Sequence, residues 1–261
     1  MKTLILCVDY KTTQDTISFV NRVCSLSHSV DIVLVCNSGS NDFIGFSEKE
    51  NVYVYDFHEN LGYMEGANRG LKEYLNDHDM PSWVILSNTD IDFRDKSFFE
   101  KLNEDKNTDC IIAPEIITLD HVYQNPFLEK RPSKSKVTFL KKVYSNVFTF
   151  YIYDFLSNVK SSIYKKSKCV VDNKIYAPHG AFVIIGKKYF ESGADLSHPA
   201  FLYGEEIIIA ERARNVFVDV VYDRKYKILH KEHVSTGKLG SKLKSKCLHD
   251  SLSYVLNKFY G

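Results

Sequence analysis

Short apolar runs alternate with helical periodicity through the first part of the chain, as far as Asp92. Leu4 to Val8 is apolar, and behind Asp9-Tyr10-Lys11 the residues Ile17, Val20 and Cys24 recur at helical spacing, with Thr12 or Thr13 placed to cap that helix. Ile32 to Cys36 is a second run, rich in β-branched residues and ended by the turn-forming Asn37-Ser38-Gly39-Ser40-Asn41-Asp42. Val52 to Phe57 is a third. A glycine-rich turn then opens a helix with Met64, Ala67, Leu71 and Leu75 on one face, and Trp83 to Leu86 is a fourth strand that stops at Ser87-Asn88-Thr89-Asp90-Ile91-Asp92. Strands separated by helices of this length predict an α/β fold with a mostly parallel sheet. Such sheets bind ligands outside the carboxyl ends of their strands, so the polar turns after strands one, two and four are expected to meet at one edge.

The pattern breaks over residues 129–168. Between 130 and 168 the chain carries ten Lys or Arg and one acid, Asp154, interleaved with Phe and Tyr, which predicts a basic helical insertion or lid. Beyond it come a strand pair around Ile175 to Ile185, a helix near Lys187 to Ser192, a loop from Ser197 to Gly204 and a helix from Glu205 to Arg214. Strands around Val216 to Tyr222 and Tyr226 to Leu229 follow, then a basic helix over 239–261. There is no internal repeat and no low-complexity linker, so 1–261 reads as a single domain.

Composition narrows the function class. With 44% hydrophobic and 26% charged residues among 261, the chain can bury one large core. A formal charge of +1 excludes a global polyelectrolyte role, leaving any attraction to a polyanion to the basic insertion. Nothing beyond charge and aromatics favours nucleic acid there, so none is expected. An anionic membrane surface is an equal alternative to a solvated insertion. The six cysteines, at 7, 24, 36, 110, 169 and 247, form no Cys-x-x-Cys pair and several lie in apolar runs, which predicts reduced core thiols. No apolar stretch approaches the roughly 18–20 residues of a membrane span, and the first apolar run is too short for a signal peptide. A cytoplasmic protein is the expectation, with 130–168 either at the inner face of the cell membrane or solvated.

Four segments carry candidate chemistry. Asn88-Thr89-Asp90-Ile91-Asp92 places two carboxylates at the end of a buried strand, where a hard divalent cation, Mg²⁺ or Mn²⁺, would take one or two of them together with substrate phosphates. The spacing alone is cheap, since Asp77-x-Asp79 repeats it, and a helix N-cap cluster is the even alternative. Asn60 to Gly70 (NLGYMEGANRG) spaces Gly62, Gly66 and Gly70 four apart, for close approach either to a ligand or to a neighbouring element. It lacks the G-x-G-x-x-G order, so a nicotinamide cofactor is not expected. In Phe201 to Glu206 (FLYGEE), aromatics beside a glycine offer a sugar-sized rim, although paired glutamates at a helix start are favoured by the dipole in any protein. His230 closes a strand, where it would ligate a metal or donate to a phosphate, against the plainer reading of a surface or core histidine.

In order and spacing, these pieces resemble glycosyltransferase family 2, in particular rhamnosyltransferase-like members of bacterial polysaccharide synthesis. The match comprises the opening strand with Asp9-Tyr10-Lys11, the turn Val35 to Ser40, NLGYMEGANRG, the turn Ser87 to Asp92, His179-Gly180-Ala181-Phe182, FLYGEE, and His230 with Ser235-Thr236. It covers about residues 3 to 236, with the basic insertion matched least. The resemblance implies a Rossmann-like GT-A fold, with a nucleotide-binding half over 1–92 and an acceptor-side half over 170–236. By position, Asp9, Tyr10, Asn37, Gly62, Gly66, Asn68, Asn88 and Gly180 would line the nucleotide-sugar site. Asp90, Asp92 and His230 would hold the metal, and Glu206, or Glu205 in its place, would be the base. Cys36 stands where an aspartate often meets the nucleobase, Lys11 where an asparagine is common, and Glu206 where aspartate is usual.

The resemblance implies an inverting, metal-dependent transfer from a nucleotide diphosphate sugar to a hydroxyl on a saccharide or lipid-linked saccharide, in cell-envelope polysaccharide or glycan synthesis. A nucleotide-sugar pyrophosphorylase is the alternative on a related fold, but it usually carries a glycine-rich basic loop after the first strand, where this chain reads Asp9-Tyr-Lys-Thr-Thr13. A non-catalytic nucleotide or carbohydrate binder is the remaining alternative.

Overall fold

A computed structural model describes residues 1–39, 41–46, 48–163, 173–232 and 240–261. Its first half follows the apolar runs: β1 (Thr3–Asp9), α1 (Thr13–Leu26), β2 (Val30–Cys36), β3 (Val52–Tyr55), α2 (Tyr63–Tyr74) and β4 (Trp83–Ser87). These four strands are mutually parallel, in the order β3-β2-β1-β4. The chain leaves β1 in one direction toward β2 and β3 and returns on its other side as β4. The crevice that such a reversal opens at the carboxyl ends is where open α/β sheets take their ligands.

Both faces of these strands are covered, which is why they read as continuous apolar runs. Leu4, Leu6, Val33, Val35, Val84 and Leu86 pack on Met64, Ala67 and Leu71 of α2. The alternate residues Ile5, Cys7, Ile32, Leu34 and Ile85 pack on Phe19, Val20 and Val23 of α1. The closest approach is at Gly70, where a Cβ would fall 2.6 Å from Val35 Cγ2 and 2.8 Å from Val33 Cγ1. Thr12 and Thr13 do not cap α1 by side chain; Thr12 Oγ1 instead donates to Asp9 Oδ1 at 2.9 Å.

The second half continues the sheet with mixed direction. It comprises β5 (Ile91–Phe93), α3 (Phe98–Glu104), β6 (Cys110–Thr118), α4 (Lys134–Tyr144), α5 (Val147–Ile163) and β7 (Lys174–Ile175). Then come β8 (Phe182–Gly186), α6 (Lys187–Glu191), α7 (Glu205–Asn215), β9 (Asp219–His230) and α8 (Ser241–Phe259). Beyond β4 the order runs β8-β6-β9-β5, with β7 paired to β9.

Three expectations change here. The strand pair around Ile175 to Ile185 is two strands that do not touch, since β7 joins β9 while β8 lies antiparallel between β4 and β6. The two strands expected over 216–229 are one, β9, whose register against β6 jumps from Asp223 opposite Pro114 to Lys227 opposite Glu115. The polar Arg224-Lys225 is therefore a bulge rather than a turn, absorbing the extra residues within one ladder. β6 itself, almost wholly buried, is a central strand that the expected alternation does not include. The basic insertion is helical as far as Ile163, and α4 and α5 pack beside α8. Its residues 164–168 lie outside the described residues, as do Ser235 and Thr236.

Candidate active site

The turn after β1 is tied to the turn after β2. Asn37 N–H donates to the Asp9 carbonyl at 2.9 Å, and Ser38 Oγ donates to Asp9 Oδ2 at 3.0 Å. Asp9 is fully buried, and its other oxygen accepts from Thr12 and from Thr16 Oγ1 at 2.8 Å. Both oxygens are thus engaged within the protein, and the aspartate holds the rim in shape. Tyr10 stands exposed on that rim, beside Lys11. Asn37 reaches the opposite wall, donating from Nδ2 to the Gly62 carbonyl at 2.9 Å.

Beside this junction lies a cavity of about 420 Å³ lined by Asn37, Ser38, Gly39, Asp56, His58, Glu59 and Asn60. Of these the sequence pointed to Asn37 as a site residue and to Ser38, Gly39 and Asn60 as parts of its motifs. Asp56, His58 and Glu59 follow β3, and the rule that ligands gather at strand carboxyl ends was the signal that could have found them. Gly62, with φ 78°, opens α2 where a Cβ would lie 2.0 Å from the Phe201 carbonyl oxygen, so the glycine is required by its contact with the FLYGEE loop. Gly66 and Gly70 face β1 and β2. The glycines spaced four apart thus serve helix-to-sheet packing at two of three positions. Asn68 is buried and donates to Glu65 Oε1, while Glu65 Oε2 accepts the His198 amide at 2.7 Å, fastening α2 to the loop before α7.

Across the crevice, Asn88 N–H donates to the Ala181 carbonyl at 2.8 Å and the Lys231 amide to the Asp90 carbonyl at 2.9 Å. Asp90 and His230 are thereby brought side by side, 3.2 Å from Oδ1 to Nε2, at ion-pair distance. Asp90 Oδ1 is nonetheless buried without a hydrogen-bond partner. On the far side of the imidazole, Nδ1 lies 2.7 Å from Gln124 Oε1, and the Gln124 amide nitrogen donates to Glu232 Oε1 at 2.8 Å. Glu232 fixes the orientation of the amide, the amide oxygen makes Nδ1 the donor, and Nε2 is left facing Asp90. Asp92 does not join them, because it pairs with Arg22 of α1 at 3.3 Å and accepts its neighbour's amide.

An orphaned carboxylate oxygen beside an imidazole nitrogen oriented from behind suits a divalent cation, with the other coordination positions left to phosphate and water. Among the described residues no cluster of three His, Cys, Asp or Glu side chains forms a closed cage. Asp90 and His230 are the residues that fit.

Glu206 reaches the residue before Ala181. Gly180 N–H donates to Glu206 Oε1 at 3.4 Å, and Tyr63 OH donates to the Gly180 carbonyl at 3.4 Å. The Tyr63 hydroxyl is held well above its usual range first by burial and then by Glu205, Cys7, Asp90 and Glu206. His179, next to Gly180, has its ring 6.0 Å from that of His230; burial, then the nearby His230, lower its pKa to about 4. Burial raises the Glu206 carboxyl above the usual glutamate range. Burial and then the charge of Glu206 raise Glu205, whose Oε1 accepts the Tyr203 amide at 3.1 Å and is turned back into its own loop.

No protein-family model matches the sequence. A curated relative, a low-salt glycan biosynthesis hexosyltransferase of Haloferax volcanii, is 22% identical over 238 residues, 91% of this chain and 69% of the relative. Among solved structures, the mannosyltransferase PcManGT of Pyrobaculum calidifontis, in complex with GDP-Man and Mn²⁺, aligns at TM-score 0.51 and 10% identity, covering 98% of this chain and 70% of its own. S. aureus TarS 1-349 in complex with UDP-GlcNAc aligns at TM-score 0.52 and 10% identity, covering 99% and 73%. At such identities the structures establish the fold, a mostly parallel α/β sheet flanked by helices. In its fold, its curated relative and the order of its motifs, the chain is similar to glycosyltransferases, and the pattern fits the GT-A type of family 2.

Proposed function

We propose that the chain transfers a glycosyl group, with inversion, from a nucleoside diphosphate sugar to a hydroxyl of a saccharide or lipid-linked saccharide, in the building of a cell-surface glycan. The observation that carries this reading is that the turn bearing Asp90 and the helix start bearing Glu206 meet on one short segment, since Asn88 N–H donates to the Ala181 carbonyl and Gly180 N–H donates to Glu206 Oε1. The neighbours solved with GDP-Man and with UDP-GlcNAc support a donor of this class. The cavity beside Asn37 is of a size to take the nucleoside, with Asp56 and Asn60 as polar contacts.

Asp90 and His230 would hold Mn²⁺ or Mg²⁺, and a bound cation would supply the positive charge that the departing diphosphate needs. Glu206 takes the proton from the acceptor oxygen as that oxygen bonds to the anomeric carbon and the bond to the diphosphate breaks on the opposite face. Its elevated pKa makes it a stronger base than a solvated glutamate, provided the pH leaves it ionised. Glu205, engaged by the Tyr203 amide, supports the loop.

Donor turnover and donor binding separate the roles. Glu206→Gln is expected to lower transfer by about 10²- to 10⁴-fold while leaving nucleotide-sugar binding by calorimetry close to the parent. Asp90→Asn is expected to abolish the metal dependence of donor binding. Parent-rate transfer by Glu206→Gln would remove the base assignment, and parent-like metal dependence in Asp90→Asn would remove the cation site.

A further inference from the structure

α5 is built the wrong way round for a surface helix. Phe150 is 5% exposed and packs inward against Tyr144, with Lys244 of α8 over its ring. Phe148, Tyr151, Ile152, Phe155 and Leu156 are 71%, 55%, 46%, 67% and 59% exposed. Their spacing of three, one, three and one is that of a single helical stripe, so the stripe looks outward. Phe139 of α4 and Leu243 of α8 add exposed apolar side chains to the same three-helix unit. Surface helices normally present charge on that face, so an apolar stripe of this width calls for something to lie against it.

The charges of the unit indicate what that is. α4 carries Lys134, Lys136, Lys141 and Lys142 and no acid, and the first half of α8 carries Lys242, Lys244 and Lys246 against Asp250 alone. None of these seven lysines enters an ion pair among the described residues. Three of them crowd the N-terminal turns of α8, where the helix dipole already disfavours positive charge and a nearby anion would relieve it. No helix among the described residues is long and apolar enough to cross a membrane, so an apolar contact with lipid would be made from the side.

We propose that α4, α5 and the start of α8 form an interfacial docking surface for an anionic bilayer. The Phe148–Phe155 stripe enters the acyl boundary, and the lysines meet the phosphate headgroups. The surface is coupled to the crevice through α8, because Ser251 of that helix lies against Gly204, next to Glu205 and Glu206. Docking would therefore bring the acceptor side of the crevice to the membrane face, where a lipid-linked acceptor resides. The inference rests on the exposed stripe and the unpaired lysines, and stands whether or not the chain transfers sugar.

Flotation of the full chain with vesicles tests it without any transfer assay. Vesicles of equal parts phosphatidylglycerol and phosphatidylcholine are expected to carry the protein at least about tenfold better than phosphatidylcholine alone, each lysine at an anionic surface strengthening binding by about fivefold. Raising salt from about 0.05 to about 0.5 M should weaken the binding, since the screening length shrinks accordingly. Phe148→Ser with Phe155→Ser, and separately Lys134→Glu with Lys136→Glu, should each lower flotation by about tenfold or more at unchanged melting temperature, because all four side chains are exposed. Failure to float with anionic vesicles would overturn the proposal. So would parent-like flotation of the two-phenylalanine variant, or a concentration-dependent dimer, lost in that variant, in a protein that ignores vesicles.

Discussion

Glu205 and Glu206 are adjacent in sequence yet answer to different partners, and this separates a carboxylate tied into its own loop from one that meets Gly180. Glu205 serves the Tyr203 amide, whereas Glu206 accepts from the Gly180 amide. The consequence for pH follows from linkage. The Glu205 pKa is higher in the folded than in the unfolded chain, so the folded state binds the proton more tightly, and stability is lost as pH rises from the ordinary glutamate range through the raised value. Glu205→Gln keeps an acceptor for the Tyr203 amide and removes the charge. Between about pH 5 and about pH 8 the melting temperature of the variant is expected to gain steadily on the parent. Parallel pH profiles would show that Glu205 is not a buried carboxylate. The sequence identified both residues but had no means of dividing their roles, since a one-residue step around a helix N-terminus points two side chains in different directions only once the loop is folded. The same holds for Asp90 and Asp92: identical chemistry one residue apart, with Asp92 drawn to Arg22 and Asp90 left beside His230.

At the scale of elements, the helix α2 packs through its glycines, and substitutions distinguish the three. Gly70→Ala would drive a methyl to 2.6 Å from Val35 Cγ2, so overpacking of about 1–3 kcal/mol outweighs a helix-propensity gain of about 1 kcal/mol. Gly66→Ala meets only ordinary contacts, at 3.5 Å from Val8, and should be neutral or stabilising by up to about 1 kcal/mol. Urea unfolding of the two variants is the check, and equal effects would contradict this packing. β9 shows the limit of periodicity at this scale. Asp223-Arg224-Lys225 has the composition of a turn, and only its pairing with β6 makes it a bulge. β6 is apolar enough to be a strand, but its place between β8 and β9 depends on partners distant in sequence.

For the molecule as a whole, the join between the helical insertion and the sheet is concentrated on one buried carboxylate. Glu211 of α7 has no exposed surface and receives Arg131 at 2.6 and 3.1 Å, Tyr176 OH at 2.6 Å and Arg214 at 3.3 Å. Arg131 also donates to the Phe259 carbonyl at 2.8 Å and stacks on Tyr260 at 3.9 Å, so one side chain ties the start of the insertion to α7 and to the end of α8. Arg131→Met leaves the buried Glu211 with weaker partners. A loss of about 3 kcal/mol is expected in denaturant unfolding, the lower edge of the range for breaking a buried pair because Arg131 is partly exposed and Arg214 remains. A change below about 1 kcal/mol would mean that the pair behaves as a surface ion pair.

The order of apolar runs and helical periods was enough to determine the four parallel strands, the helices between them and the edge at which the polar turns gather. Those features depend on local preference and on the burial of both sheet faces, which are written along the chain itself. The motif order likewise carried the GT-A fold. Only the tertiary structure turned Asp9 inward to hold its own turn, paired Asp92 with Arg22, set Gln124 behind His230 and left the aromatic stripe of α5 facing out. Each of these depends on which distant element lies within a few ångströms of a side chain, and hydrogen bonds and ion pairs act only over that distance.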